Sequence, residues 1–228
     1  ELRKERFKHG AIAFERDEMR FNLDDKGRPI GVYMKIQKEA NQLIEEFMLL
    51  ANRRVAEYCA HRISNGRKVP RPMVFRVHDE PAEDKLERFR EFALRFGHYF
   101  KAQKGRAIAK EMNKLLGTIQ GRPEHNAITT LAVRSMAVYT TDNIGHYGLA
   151  FPYYTHFTSP IRRYPDMMVH RLLASYLNGA KSADKRYLEQ LAVHSTEREI
   201  IASDAERASI KYKMAEFMKD RIGEEFEG

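Results

Sequence analysis

At Glu39 the hydrophobic period of this 228-residue chain changes, and that change limits what it can fold into. From there Ala40, Ile44, Phe47, Ala51, Val55 and Tyr58 recur at helical spacing. The spacing predicts a helix from Glu39 to about Ile63, ending before Ser64-Asn65-Gly66. At about 100° per residue, Leu43, Ile44, Phe47, Met48, Leu49, Leu50 and Ala51 point in nearly every direction. A helix that is apolar all round is a buried helix. Glu45 and Glu46 lie in its middle, and adjacent carboxylates in a buried helix need partners. An arginine of the chain itself or a polar ligand would serve.

Upstream, the segment from His9 to Ile36 reads as strands. Ala11 to Phe14 and Met19 to Leu23 are short β-like runs, the Asp24–Pro29 stretch is a turn, and Ile30 to Ile36 returns as a third strand. Downstream, Val69 to Pro72 reads as a linker and Met73 to His78 as one more strand. Helices are expected at Glu83–Phe96, about Ala107–Leu116, about Asn126–Met136 and Asp166–Leu177. Tyr147 to Thr158 reads as extended. Ser182 to Phe226 is dense in helix formers and reads as a helix pair or a long broken helix. No repeat or domain boundary stands out, so one mixed α/β (α+β) domain is expected, with short antiparallel strands packed against many helices.

Composition narrows the function classes. No apolar run approaches the roughly 20 residues that a membrane helix needs, so no membrane partner is expected. Cys59 is the only cysteine, which excludes an intrachain disulfide and a cysteine-based zinc site; a reducing cytoplasm suits such a chain. Lying in an apolar helical pattern, Cys59 reads as a small buried hydrophobe. The chain carries 40 Lys and Arg against 32 Asp and Glu, a net charge of +8, which favours a polyanionic partner. The nine histidines show no paired metal-ligand spacing, and no metal site is expected within the chain.

The richest stretch runs from Tyr147 to Arg171 and interleaves aromatics, hydroxyls and arginines just before a helix. The planar guanidinium of arginine matches phosphate oxygens, and backbone N–H groups at a helix start favour an anion. Ser159 to Asp166 therefore suits a phosphodiester. The same residues fit equally a pair of surface charges, Arg162 and Arg163, beside core aromatics.

The core of that run is Thr158-Ser159-Pro160-Ile161-Arg162-Arg163-Tyr164-Pro165-Asp166, followed by His170-Arg171. It resembles the signature of the ribonuclease II / ribonuclease R family, whose members hydrolyse RNA processively from the 3′ end. The resemblance implies that Arg162 sits beside the scissile phosphate and stabilises charge building on the phosphoryl oxygens, as an arginine clamp does. Arg163, Ser159 and Tyr154 of the same run are then RNA contacts. A second match, Ala40 to Asn52, implies that an acidic residue touches the terminal nucleotide, with Glu46 preferred over Glu45. A third, His9 to Phe14 followed by Met19-Arg20-Phe21, resembles a strand pair in which a phenylalanine stacks on bases near the 3′ end. Phe14 takes that role, although as part of an alternating strand it is equally a core residue.

The family's hydrolysis depends on Mg²⁺ held by closely spaced aspartates, and the chain contains no such cluster; Asp24-Asp25 belongs to a turn. The chain also starts with Glu1, not Met. The resemblance therefore implies that residues 1–228 are the C-terminal portion of a single ribonuclease II-type catalytic domain. The metal-binding part and the flanking RNA-binding barrels would lie outside it. The expected activity of the whole is Mg²⁺-dependent 3′→5′ hydrolysis of single-stranded RNA to nucleoside 5′-monophosphates, with this chain alone inactive. The alternative is a non-catalytic RNA-binding relative of the same fold.

Overall fold

The computed structural model of the protein describes residues 1–13, 18–132 and 137–225. A short helix, α1 (Leu2–Lys8), opens the chain and was not expected, because seven largely charged residues show no usable period. Strands β1 (Glu18–Leu23) and β2 (Pro29–Lys35) follow as an antiparallel hairpin with Phe21 opposite Val32. Its turn closes because the Asp24 carboxylate accepts the amides of Lys26 at 2.9 Å and Arg28 at 2.7 Å, with Gly27 at φ 74°. The expected strand at Ala11–Phe14 is not formed over its described residues, 11–13. There Asn113 holds the chain instead, accepting from the amide of Ala13 and donating to the carbonyl of Ala11, each at 2.8 Å.

Helix α2 (Glu39–Cys59) fills the period change but ends four residues short of the expected Ile63. Strands β3 (His61–Ser64) and β4 (Arg67–Pro70) then form a second hairpin where a helix end and a linker were expected. Asn65 (φ 50°) and Gly66 (φ 71°) make its two-residue turn, the left-handed pair that an Asn-Gly dipeptide favours. After β5 (Phe75–Val77) come α3 (Glu83–Arg95), α4 (Arg106–Ile119) and α5 (His125–Ala132), all close to their expected positions. β6 (Val138–Thr140) pairs antiparallel with β5. Helix α6 (Tyr164–Leu177) begins with Pro165 in its first turn. The C-terminal region is one unbroken helix, α7 (Lys185–Lys219), capped by Asp184, whose carboxylate accepts the amides of Arg186 and Tyr187.

The fold class is the expected mixed α/β, with three two-stranded antiparallel sheets set among helices in the described residues. One core joins the end of α2 to β5, β6, α6 and the first turns of α7 around Met73, Val74, Val169 and Ala192. The other joins α3, α4 and α5 around Phe89, Ile108, Ile119 and Ile128. Cys59 is buried in the first, as expected, and burial raises its thiol pKa to about 11.

Helix α2 departs from expectation in its burial as well. Its buried residues, Glu46, Leu49, Asn52, Ala56 and Cys59, form one stripe, while Leu43 (58% exposed), Ile44 (59%) and Phe47 (56%) stand on the other side. Among the described residues nothing covers that second face. Apolar periodicity reports which faces can be buried, not what is present to bury them.

Candidate nucleic-acid interface

The Ser159–Arg163 turn is built by one side chain. Asp166, fully buried in the first turn of α6, turns Oδ1 back to accept the Ser159 amide at 2.7 Å and Nη2 of Arg163 at 2.9 Å. Within the turn the carbonyl of Ser159 accepts the amides of Arg162 and Arg163 at 3.3 and 3.1 Å. The tip beyond these bonds is Ile161, wholly exposed, and Arg162, also exposed. Among the described residues the Arg162 side chain has no hydrogen bond or ion pair, whereas Arg163 is tied inward to Asp166.

The residues that lead into the turn are held from α2. The carboxamide oxygen of Asn52, itself buried, accepts the amides of Phe157 at 3.0 Å and Thr158 at 3.2 Å, and its nitrogen donates to the Tyr154 hydroxyl at 3.1 Å. Tyr154 is thus an interior residue packed edge-on to His146 and His156. Burial raises its hydroxyl pKa and leaves it a neutral hydrogen-bonding group. Beside it His156 meets the Tyr139 hydroxyl at 2.7 Å through Nδ1. Burial, then the positive charges of Arg163 and Arg76, hold the pKa of His156 down to about 2. Burial and then His78 lower that of His146 to about 3. This side of the turn is consequently a neutral aromatic support under an exposed cation.

Further along the same helix, Glu46 reaches a cleft of about 850 Å³ walled by α1, α2, the start of α4 and the 144–152 segment. Its Oε1 accepts from Nε of Arg6 at 3.2 Å and from Nη2 of the same guanidinium. The internal arginine allowed for in the sequence is therefore Arg6. Glu45, more exposed, accepts from Gln37 Nε2 at 2.8 Å. Arg53, also on the cleft wall, lies with its guanidinium carbon 5.4 Å from the centre of the Phe151 ring.

The predicted site residues thus fall in two groups joined by α2. Ser159, Arg162 and Arg163 share one turn, and Glu46 with Glu45 sits six or seven residues before Asn52 on the helix that holds that turn. Arg162 does not line the Glu46 cleft. Phe14 lies outside the described residues. Tyr154, expected to touch RNA, is placed behind the turn, because an aromatic next to an aromatic-rich loop is also the residue best able to support it. Sequence reasoning missed Arg6, Asn52 and Asp166. For Asn52 a signal was present: a polar residue at the buried spacing of α2.

The comparisons with known proteins agree with the fold. A family model described as the RNB domain matches residues 1–179. Ribonuclease R 1 of Lactococcus lactis subsp. lactis (strain IL1403) is 39% identical over 231 residues, an alignment spanning 98% of this chain and 27% of that protein. Among solved structures, Mycoplasma genitalium RNase R in complex with ribose methylated single-stranded RNA superposes with a TM-score of 0.84 at 26% identity, covering 98% of this chain and 35% of that one. Yeast Ssd1, a pseudonuclease, superposes with a TM-score of 0.55 at 28% identity over 67% of this chain and 19% of its own. The chain therefore spans about a third or less of the length of these proteins.

Proposed function

The chain belongs to the RNB-domain family, and on that premise we propose that it is the substrate-holding part of a processive 3′→5′ exoribonuclease. The enzyme would hydrolyse single-stranded RNA to nucleoside 5′-monophosphates in the cytoplasm. The observation that carries this reading is the Arg162 guanidinium, exposed and without a partner among the described residues at the tip of a turn anchored at both ends. A turn held in that way fixes the backbone from which the guanidinium reaches the phosphoryl oxygens of a substrate. Arg163 and Ser159 contact the RNA backbone beside it, Glu46 with Glu45 accepts a ribose hydroxyl of the terminal nucleotide, and Phe14 stacks on a base. The identity shared with ribonuclease R 1 and the RNA bound to the Mycoplasma genitalium protein support the substrate class.

Mg²⁺ belongs to this proposal as a cofactor of the whole enzyme. Among the described residues no three His, Cys, Asp or Glu side chains stand close enough to hold a metal ion. In the Glu46 cleft the carboxylate nearest to such a role is already engaged by Arg6. The metal's ligands are accordingly assigned to other residues, and the roles given to Arg162 and Glu46 do not depend on it.

The test uses a labelled single-stranded RNA and the purified chain. Binding should weaken as salt rises, with a slope set by the number of phosphates contacted, and no exonucleolytic ladder should form with Mg²⁺. Affinity indifferent to salt would remove RNA as the partner; a clear ladder would show that the chain cuts by itself. A second reading, a non-catalytic RNA-binding relative, is favoured by the likeness to the pseudonuclease Ssd1. Closely spaced aspartates in a longer polypeptide containing this chain would decide for the nuclease, and their absence for the relative.

A further inference from the structure

We propose that Asp166 is a positioning residue for Arg162. The proposal rests on the reading of Arg162 as a phosphate contact and adds how that contact is set. Oδ1 of the fully buried Asp166 accepts both from the Ser159 amide, at 2.7 Å, and from Arg163 Nη2, at 2.9 Å. A single oxygen thus joins the first and last residues of the turn whose tip is Ile161-Arg162. It also chooses between adjacent arginines: Arg163 is drawn inward by the carboxylate, and Arg162 is left facing solvent.

Two further features set this corner apart from ordinary packing. Thr158 Oγ1, Arg163 Nε and Asp166 Oδ2 are buried without a hydrogen-bond partner among the described residues. Unsatisfied buried polar atoms work against stability, and these three lie within nine residues of one another. The second feature is charge. Asp166 is an anion placed just behind a proposed RNA contact, where through-space electrostatics alone would make it unfavourable. A carboxylate in that place is explained if its bonding to the turn outweighs its repulsion of phosphate.

The two effects have opposite signs, and the test uses that. Binding of fluorescein-labelled single-stranded oligo(U) is followed by anisotropy across a salt series for the whole chain, Asp166→Ala, Arg162→Ala and the double variant. Asp166→Ala adds one net positive charge, so a purely electrostatic role predicts equal or tighter binding, and a purely structural role predicts a loss that adds to that of Arg162→Ala. Positioning predicts weaker binding and a salt slope lower by about 0.7, the value for one lost contact to a single strand. Arg162→Ala should give the same loss, and the double variant no further loss. Equal or tighter binding by Asp166→Ala, or an undiminished Arg162→Ala effect in its background, overturns the proposal.

If Asp166→Ala does not fold, Asp166→Asn carries the test. It keeps an oxygen for Ser159 but not the charge facing Arg163, so the Arg162→Ala effect in that background should be at least halved; an unchanged effect overturns the proposal. Amide hydrogen exchange at Arg162 and Arg163, measured without RNA, gives a separate readout. Protection of these amides should be lost in Asp166→Ala (or reduced in Asp166→Asn), and unchanged protection overturns the proposal. Should no form bind RNA, the reading of Arg162 as a phosphate contact fails, while the exchange result still decides whether Asp166 orders the turn.

Discussion

Arg6 and Glu46, forty residues apart, form an ion pair that fastens α1 to the middle of α2, with Arg6 Nε 3.2 Å from Glu46 Oε1. Both side chains are nearly buried, at 6% and 11% exposure. Removing one partner of such a pair strands the other charge, at a cost of about 3–5 kcal/mol. Arg6→Met should therefore lower the unfolding free energy by about that amount in urea titration. The double variant Arg6→Met with Glu46→Leu should recover most of it, since replacing both charges by apolar groups is close to neutral. If the double variant were no more stable than Arg6→Met, the pair would not be the source of the loss.

Asn52 makes the second long-range tie. Asn52→Leu keeps the volume but leaves the amides of Phe157 and Thr158 without their acceptor. At about 1–3 kcal/mol for each unsatisfied buried group, attenuated because both amides are only partly buried, a loss of about 2–4 kcal/mol is expected. Tyr154→Phe, which removes only the hydroxyl that accepts from Asn52, should cost about 1 kcal/mol. Thermal unfolding of the two variants checks the order; a larger loss for Tyr154→Phe would contradict it.

Much of this framework was legible in the sequence, and the failures have physical causes. Helices α3 and α4 were placed within a few residues because each repeats an apolar position at helical spacing over a dozen residues. The Asn65-Gly66 hairpin carried its own signal, which lost to the stronger period of α2 running into it. β6 has three residues and exists because β5 lies beside it, information that no local window holds. The outer face of α2 was misread because periodicity cannot tell what covers a face. In the site, composition and spacing gave only a basic, aromatic-rich run before a helix; the particular roles of Arg162 and Glu46 came from family resemblance. The supports came from neither, because Asn52 meets Phe157 across 105 residues and Arg6 meets Glu46 across 40.

Stability should fall on mild acidification, and His146 and His156 give the sign. Their folded-state pKa values are held down to about 3 and about 2 by burial and neighbouring positive charge, against about 6.5 in an unfolded chain. Below pH 6.5 the unfolded state binds protons that the folded state refuses, so the stabilisation is complete above that pH and is lost as pH falls toward the folded values. Between pH 7 and 5.5 each histidine should account for about 1 kcal/mol of lost stability. Urea midpoints at the two pH values measure this. In His156→Gln, which keeps a polar group near Tyr139, the pH dependence should shrink by about half; an unaltered dependence would exclude His156 as a source.

Arg162→Ala separates binding from chemistry in a longer protein that carries this chain together with its metal ligands. An exposed guanidinium on an anchored turn is one of several phosphate contacts, so its loss should change RNA affinity only a few-fold. If it also meets charge that builds on the phosphoryl oxygens, its main contribution appears in the transition state, and kcat should fall by about 10²–10³. Arg162→Lys keeps the charge but not the planar fork, and should recover affinity more fully than turnover. Single-turnover degradation of a labelled RNA, with Kd measured separately without metal, distinguishes the outcomes. Proportional losses in Kd and turnover would make Arg162 a binding residue, and the rigidity that Asp166 and Asn52 give its turn would then serve affinity alone.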